Sequence, residues 1–271
     1  MAAKYDPRAH GALCDQCDLC GKNVVPPEAN HSAWICCVAE APGEQEEKIG
    51  RPLVGPSGTE FDKGCRAAAL HRGDFHITNT LLCRPPGNDL KRLLTAFNKR
   101  EKARKKQCKL DDETYVPALN PIECCAPRLE AELLRFQNFI TLGKTGTRAV
   151  SGQQGSILAL RGGFMDLIAT PRTPARKVMP TVHPSFVLRA PKWTHVFKND
   201  LLKAVRWFRG EASWCEPEIV YNPTPEELRQ FLSDKTKLYS FDIETDGIEA
   251  LTAHIRCVAI GDTKKVMVIG F

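Results

Sequence analysis

Short apolar runs bounded by turn residues recur along the first 180 residues of the chain. They predict three buried strands, at 33–39 (AWICCVA), 75–80 (FHITNT) and 138–143 (NFITLG). A fourth, less marked run is KVMPTV at 177–182. Runs of this length that are apolar throughout are typical of strands covered on both faces of a sheet.

Helical periodicity separates these runs. Residues 125–136 place Leu129, Leu133 and Leu134 at helical spacing, and residues 193–208 form a longer amphipathic pattern with basic residues near its end. Strands that alternate with helices predict a parallel, layered α/β domain. In such sheets ligands bind at the carboxyl ends of the strands.

Polar or turn residues follow three of the predicted strands. The Pro42-Gly43 turn, Asn79 and His183 all lie at or just after a strand end. Taken alone, Asn79 is more often a turn residue and His183 more often a cap. Because parallel strands end at one edge of a sheet, we nevertheless expect these positions to converge.

A change of composition at 210–218 separates a shorter C-terminal piece. Residues 224–232 predict a helix with Thr224 as N-cap and Glu227 closing a capping box. Three strands follow, KLYSFDIE, HIRCVAIGD and KKVMVIGF, as an antiparallel meander. Three strands and one helix make a poor free-standing unit, so we expect the opening of a larger domain. The expected boundaries are a domain at 1–210, a linker at 211–217 and the further piece at 218–271.

Composition narrows the class of protein. The chain has 271 residues, 42% of them hydrophobic, with a formal net charge of +6. No run approaches the roughly 20 apolar residues of a membrane span, and the N-terminus lacks a signal-like apolar stretch. We therefore expect a soluble, cytoplasmic protein that is monomeric and does not contact a membrane. Residues 91–109 carry nine Lys or Arg against one Glu. A solvated helix face or loose insert is the simpler interpretation, and a phosphate-binding patch the sharper one.

Twelve cysteines are many for a chain in a reducing compartment, where disulfides are rare. Cys14 and Cys17 form a C-x-x-C, while Cys83 and the pair Cys124-Cys125 are remote in sequence. Two close cysteines with two distant ones suit a site that fastens the N-terminus to the core. Four thiolates bind either zinc or an iron–sulfur cluster, and the spacing does not decide between them.

Five motifs occur in the order found in the iron–sulfur uracil-DNA glycosylases of families 4 and 5. They are AEAPGEQEEKIGRPLVGPSG, ITNTLLCRPPGN, ECCAPRLEAEL, ITLG and PTVHPSFVLR. The chain resembles this family over about residues 14–209, and the glycine of AEAPG makes it more similar to family 4. The resemblance implies a three-layer α/β/α domain with a short central parallel sheet.

The resemblance also implies functional residues. A [4Fe–4S] cluster falls on Cys14, Cys17, Cys83 and Cys125. The implied catalytic residues are Glu40, Glu46 and His183. The implied substrate-binding residues are Ala41, Gly43, Leu53, Asn79, Ser185 and Arg189.

The chemistry of these residue types agrees with base excision. A glycosylase binds a flipped-out base in a pocket and stabilises a departing uracil anion and a cationic sugar. Carboxylates stabilise the sugar or orient water, and a His donor stabilises uracil O2. The amide of Asn79 matches O4 and N3–H of uracil, a pattern that cytosine reverses. Glu44 and Glu47 are interpreted as solvated carboxylates.

Two departures from the family pattern stand out. Leu53 occupies the place of a phenylalanine that stacks on uracil, a contact worth on the order of 1–3 kcal/mol per base. The segment between CRPPGN and ECC is much longer than in the family and contains the basic run, so it has the potential to extend the DNA footprint.

In the C-terminal piece, LYSFDIETDG resembles the first motif of DEDD-type 3′–5′ exonucleases, as in family A, phage-type DNA polymerases. Asp242 and Glu244 alternate on one strand and suit an incomplete two-metal site. The resemblance implies an incomplete RNase H-like piece, which would bind Mg²⁺ only if the domain is completed elsewhere. The resemblance implies a partner, the rest of a DNA polymerase, which is either encoded by a separate gene or lost by truncation. The implied setting is a bacterial or phage-infected cell.

Three hypotheses follow. The first is a monofunctional uracil-DNA glycosylase acting in base-excision repair on DNA that contains uracil. The second is a catalytically inactive glycosylase fold that binds DNA for a phage polymerase, which Leu53 favours. The third is a zinc-stapled DNA-binding domain without a base pocket.

Overall fold

The computed structural model describes residues 5–111, 114–212, 216–247 and 252–271. Contacts within the chain divide it into two units, Met1–Ala212 and Ser213–Phe271. The strands of the first unit are β1 (Ile35–Ala39), β2 (Phe75–Asn79), β3 (Asn138–Leu142), β4 (Met165–Leu167) and β5 (Arg176–Thr181). Its helices are α1 (Glu44–Ile49), α2 (Gly55–Ala67), α3 (Leu90–Leu110), α4 (Pro121–Leu133), α5 (Gly143–Ser151), α6 (Ile157–Leu160), α7 (Pro184–Arg189) and α8 (Thr194–Phe208).

The five strands form one sheet in the order β2-β1-β3-β5-β4. β1, β2, β3 and β5 are parallel, which confirms the four predicted strands and the parallel sheet. β4 pairs antiparallel with β5 and was not predicted. With three residues that are only partly buried or exposed, β4 lacks the continuous apolar run by which the others are recognisable.

Both faces of the sheet are covered, so the unit has helices on either side of a central sheet. β1 shows the alternation: Cys37 joins a core with Phe61 of α2 and Phe197 of α8, and Cys36 joins a second core with Leu129 of α4. Cys36 and Cys37 are both fully buried, as expected of strand residues in the core. Continuous apolar runs are the sequence consequence of this double covering.

The two predicted helices are present with shifted bounds. α8 begins one residue later than predicted. α4 covers 121–133 rather than 125–136, because Asn120 caps it, Pro121 occupies its first turn and Glu123 closes a capping box. The basic run lies on α3, a helix of 21 residues, so the loose insert considered as one alternative is wrong.

The second unit contains β6 (Glu218–Tyr221), α9 (Pro225–Phe231), β7 (Ser240–Thr245), β8 (Ile255–Gly261) and β9 (Lys265–Gly270). β7, β8 and β9 form the predicted antiparallel meander, and Thr224 and Glu227 form the predicted capping box of α9. β6 was not predicted, and it pairs parallel with β9.

Among the described residues, none of the helices is long and apolar enough to cross a membrane.

Candidate active site and cysteine cavity

The carboxyl ends of β1, β2, β3 and β5 open on a cavity of about 680 Å³. Residues that follow each of these strands line it, which is the convergence expected at the edge of a parallel sheet. All nine residues that the sequence assigned to catalysis and substrate binding line this cavity: Glu40, Ala41, Gly43, Glu46, Leu53, Asn79, His183, Ser185 and Arg189.

Glu40 directly follows β1 and has one carboxylate oxygen engaged. Its Oε2 accepts a hydrogen bond from the hydroxyl of Thr145, which lies in the first turn of α5. No other hydrogen bond or ion pair of the Glu40 side chain is found within the described residues, so Oε1 is free to meet a ligand. Thr145 therefore orients a carboxylate that keeps accepting capacity inside the cavity.

Glu46 has a different environment, because backbone groups occupy both of its oxygens. Oε2 accepts from Gly43 N at 3.1 Å, and Oε1 accepts from Val54 N at 3.0 Å. A Cβ at position 43 would lie 2.7 Å from Oε2, so the Glu46 carboxylate would have to shift to accommodate a side chain there. Glu46 thus ties together the two loops that frame the cavity.

The two remaining carboxylates of α1 pair with cations. Glu44 lies 2.6 Å from Lys48, and Glu47 lies 3.1 Å from Nη1 of Arg84. Glu47 is only partly exposed. The interpretation of Glu47 as a merely solvated carboxylate is therefore wrong, since it fixes α1 against the segment that follows β2.

Asn79 ends β2 and is 97% buried, with its side chain at the cavity wall. Its backbone carbonyl accepts a hydrogen bond from Nη2 of Arg128, a fully buried residue of α4. Arg128 also donates to Thr80 O at 3.0 Å and to Thr78 Oγ1 at 2.9 Å, and it pairs with Glu132 at 3.0 Å. One guanidinium thus fixes three consecutive residues at the end of β2.

His183 lies two residues after β5, and its ring caps α7. Its Nδ1 accepts a hydrogen bond from the Ser185 backbone N–H at 3.1 Å and lies 2.9 Å from the Ser185 hydroxyl. An accepting Nδ1 leaves the ring proton on Nε2, so the neutral imidazole is a donor through Nε2–H. Burial, with Arg189 as a lesser cause, lowers the pKa of His183 to about 4.

Leu53 has a left-handed backbone with φ of 47°, which is uncommon for a branched side chain. Its carbonyl accepts a hydrogen bond from Nη1 of Arg72 at 2.9 Å, and Arg72 is held by Glu28 at 2.7 Å. Gly58 is required beside it, because a Cβ there would lie 2.1 Å from Leu53 O. Leu53 is 5% exposed and gives the cavity an apolar wall.

The rim of the cavity includes α7. Leu188 is 43% exposed and, like Arg189, is a rim residue with its side chain open to solvent. No lysine is among the described residues that line the cavity. The site therefore has carboxylates, an amide, a neutral imidazole and an apolar wall, but no amine nucleophile.

A second cavity, of about 480 Å³, is lined by Cys14, Cys17, Cys83 and Cys125, the four cysteines assigned to a cluster. The pKa of the Cys83 thiol is raised to about 12, chiefly by burial and to a lesser degree by the neighbouring thiols of Cys125, Cys17 and Cys14. Leu13 N donates to Cys124 O at 2.9 Å, which fastens the N-terminal segment to α4. Cys20 and Cys124, which are not among the four assigned cysteines, also line this cavity.

The chemistry of this donor set decides which group fits. Within the described ranges, no three His, Cys, Asp or Glu side chains are grouped closely enough to bind a single metal ion. Tetrahedral zinc, with Zn–S of about 2.3 Å, holds its sulfurs roughly 3.8 Å apart. An iron–sulfur cluster spreads its four cysteines over separate iron atoms and suits a cavity lined by thiols.

Comparison with known proteins agrees with this geometry. Residues 26–209 match the family model described as the uracil DNA glycosylase superfamily. The chain belongs to the uracil-DNA glycosylase superfamily. The matched residues include every residue assigned to the first cavity.

Curated relatives extend the match. A type-4 uracil-DNA glycosylase of Thermotoga maritima is 30% identical over 194 residues, which cover 70% of this chain and 85% of that protein. A type-4 uracil-DNA glycosylase of Saccharolobus solfataricus is 31% identical over 201 residues, covering 70% and 79%. One of Archaeoglobus fulgidus is 43% identical over 77 residues, covering 28% and 39%. Residues 216–271 lie outside the superfamily match.

The remaining assigned residues, Asp242 and Glu244, are on β7 of the second unit. Both are exposed, and as alternate residues of one strand they share a face of the sheet.

Thr145, Arg128 and Arg72 are contacts of the site that the sequence did not reveal. Thr145 belongs to LGKTGT, which resembles a P-loop but has Asn138 where that motif needs glycine. From Gly143 onward this segment forms the start of α5. Arg128 and Arg72 act on backbone carbonyls, for which a single sequence carries no signal.

Proposed function

We propose that the chain is a monofunctional uracil-DNA glycosylase that hydrolyses the N-glycosidic bond of uracil in DNA. The convergence of Glu40, Asn79 and His183 on one cavity, within a chain of this superfamily, supports the proposal most directly. Water adds to C1′ and gives up a proton, the bond from C1′ to N1 breaks, and uracil departs with the bonding electrons as an anion that then takes up a proton. The products are free uracil and an abasic site. Because no lysine is found among the described residues that line the cavity, we expect no Schiff base and no strand cleavage.

Each residue has a task that its environment permits. Glu40, with one oxygen held by Thr145, orients the water and stabilises the cationic sugar. His183, neutral with its proton on Nε2, donates to uracil O2 as negative charge develops there. Asn79, fixed through its backbone by Arg128, reads O4 and N3–H. Glu46 acts as a positioning residue, since its two oxygens accept backbone N–H groups.

The backbone and the rim complete the pocket. Ala41 and Gly43 present little bulk, so backbone groups approach the base closely. Leu53 contacts the base without stacking. Ser185 holds the His183 ring, and Leu188 and Arg189 at the rim contact the DNA strand from which the nucleotide is flipped.

We further propose a [4Fe–4S] cluster on Cys14, Cys17, Cys83 and Cys125. The thiol-lined cavity and the lack of a single-ion site among the described residues support this choice over zinc. When bound, the cluster supplies a structural crosslink between the N-terminal segment, the segment after β2 and α4. The colour of an anaerobic preparation separates the two metals, since iron–sulfur clusters absorb visible light and zinc thiolates do not.

For the second unit we propose an exonuclease-like piece associated with a DNA polymerase, with Asp242 and Glu244 as part of a Mg²⁺ site. The shared face of these two exposed carboxylates on β7 supports this. Two carboxylates are few for a two-metal site, so we expect no exonuclease activity from this chain alone.

The test is alkali-induced cleavage of a labelled oligonucleotide that contains one uracil, in single- and double-stranded form. The control is His183→Asn, which retains a helix N-cap but cannot replace the Nε2–H donor. Cleavage that requires alkali and falls at least a hundredfold in the variant supports the proposal. If cluster-loaded protein binds the oligonucleotide without releasing uracil, the DNA-binding alternative that Leu53 favours replaces it.

A further inference from the structure

Helix α3 carries nine lysines and arginines, and all nine are exposed. They are Lys91, Arg92, Lys99, Arg100, Lys102, Arg104, Lys105, Lys106 and Lys109. Two of the nine have an acidic partner: Arg100 lies 2.5 Å from Asp18, and Arg104 lies 2.8 Å from Glu101. The other seven form no ion pair within the described residues, so intramolecular charge pairing does not account for them.

The seven unpaired cations lie on one side of the helix. At about 100° per residue they fall within an arc of roughly 140°, which contains no acidic residue, and Arg100 and Arg104 fall outside it. We call these seven residues the basic stripe. From Lys91 to Lys109 it runs for about 27 Å, given a rise of 1.5 Å per residue.

The opposite side of α3 fixes the orientation of the stripe. Leu90 and Phe97 are buried, and Leu90 packs with Leu81 and Cys125 in a small core that Leu93 and Leu94 border. No residue of α3 beyond Phe97 is buried. The apolar side therefore faces the protein, and the basic stripe faces solvent along the whole helix.

The basic stripe begins at the rim of the active-site cavity. Pro85 and Asn88 line that cavity, Asp89 caps α3, and Lys91 is the first cation of the stripe. A strand that delivers a nucleotide to the cavity passes this rim. The first cation of the stripe thus lies three residues after Asn88, a residue that lines the cavity.

We propose that the basic stripe binds the phosphate backbone of the DNA that flanks the target nucleotide. The proposal rests on the proposed function for the identity of the polyanion. A row of unpaired cations that contacts phosphates gives affinity that is independent of sequence. A membrane surface does not fit, because membrane-bound helices expose an apolar face and α3 buries its own.

The experiment measures the salt dependence of binding to an oligonucleotide without uracil. The stripe variant is Lys102→Gln/Lys106→Gln, and the matched control, on the same helix with the same loss of two charges, is Arg100→Gln/Arg104→Gln. In the stripe variant, the slope of log K against log[salt], where K is the association constant for the oligonucleotide, is expected to become shallower. The expected change is about 1.8 for duplex DNA and about 1.4 for a single strand. We expect little change in the control. Adding Lys99→Gln and Lys109→Gln raises the duplex change to about 3.6.

Circular dichroism confirms that α3 stays helical in each variant, and single-turnover excision at saturating protein is expected to stay unchanged. Equal slopes for stripe and control variants overturn the proposal, whether or not uracil is excised. A shallower slope in the stripe variant alone supports it, even if the wild-type chain releases no uracil. The two proposals therefore fail separately.

Discussion

The two cavities of the first unit are built on different principles. In the active-site cavity, hydrogen bonds within the protein already hold the functional groups: Thr145 holds Glu40, Ser185 holds His183 and Arg128 holds the backbone of Asn79. In the cysteine cavity, thiols from distant parts of the chain share a space without forming a single-ion site among the described residues. The first is preorganised by the fold, whereas the second, under our proposal, depends on the cluster that it would bind.

The largest expected effect tests the cluster proposed for the cysteine cavity. Cys83→Ser removes a ligand and is expected to lower the melting temperature by about 10 °C, corresponding to roughly 3 kcal/mol of lost binding free energy. Visible absorbance and iron content fall with it. Cys108→Ser, on α3 and away from the cavity, is the control. Full iron content in the Cys83 variant would contradict the assignment.

The second largest effect distinguishes the roles of Glu40 and Glu46, the two carboxylates of the active-site cavity. Glu40→Gln is expected to slow single-turnover excision by about 10²–10⁴-fold, because it removes the charge that orients water. Glu46→Gln keeps one acceptor and is expected to slow excision less than tenfold while lowering the melting temperature. The reverse order of rates would assign catalysis to Glu46.

A smaller effect tests the link between the cavities, because Arg128 lies one turn after Cys125 on α4 and holds the end of β2. Arg128→Met leaves buried carbonyls without donors, at about 1–3 kcal/mol, and is expected to lower kcat/KM for uracil at least tenfold. Arg128→Lys restores part of this, and the exposed Arg135→Lys changes nothing. A drop in melting temperature with unaltered preference for uracil over cytosine would limit Arg128 to stability.

The smallest effect concerns pH. Because the pKa of His183 is lowered to about 4, its neutral donor form persists across the range in which a free histidine titrates. We expect the pH profile of the excision rate to show no titration step near pH 6.5 in the wild-type chain. His183→Asn is therefore expected to leave the shape of the profile near pH 6.5 unchanged. Between pH 6.5 and about 4 the unfolded chain binds the proton first, so the free energy of unfolding declines as pH falls through this window. A rate step at pH 6.5 confined to the wild-type chain would contradict the neutral assignment.

Much of this protein was determined locally by its sequence. Apolar runs specify β1, β2, β3 and β5, because strands buried on both faces need apolar side chains throughout. Capping signals specify α9. The residues assigned to substrate converge because parallel strands place their ends at one edge. Motif order named both these residues and the four cysteines of the second cavity.

Other features were decided only by tertiary structure. β4 has no apolar run and β6 has only a short one, and both form where a neighbouring strand offers them hydrogen bonds. Arg128, Arg72 and Thr145 bind atoms 19 to 105 positions away, and a single sequence does not encode which distant carbonyl or carboxylate a side chain will meet. The same holds for Glu46, whose motif position suggests catalysis and whose contacts make it a brace. Residue type limits what a side chain can do, and only the surroundings built by the fold decide which of those things it does.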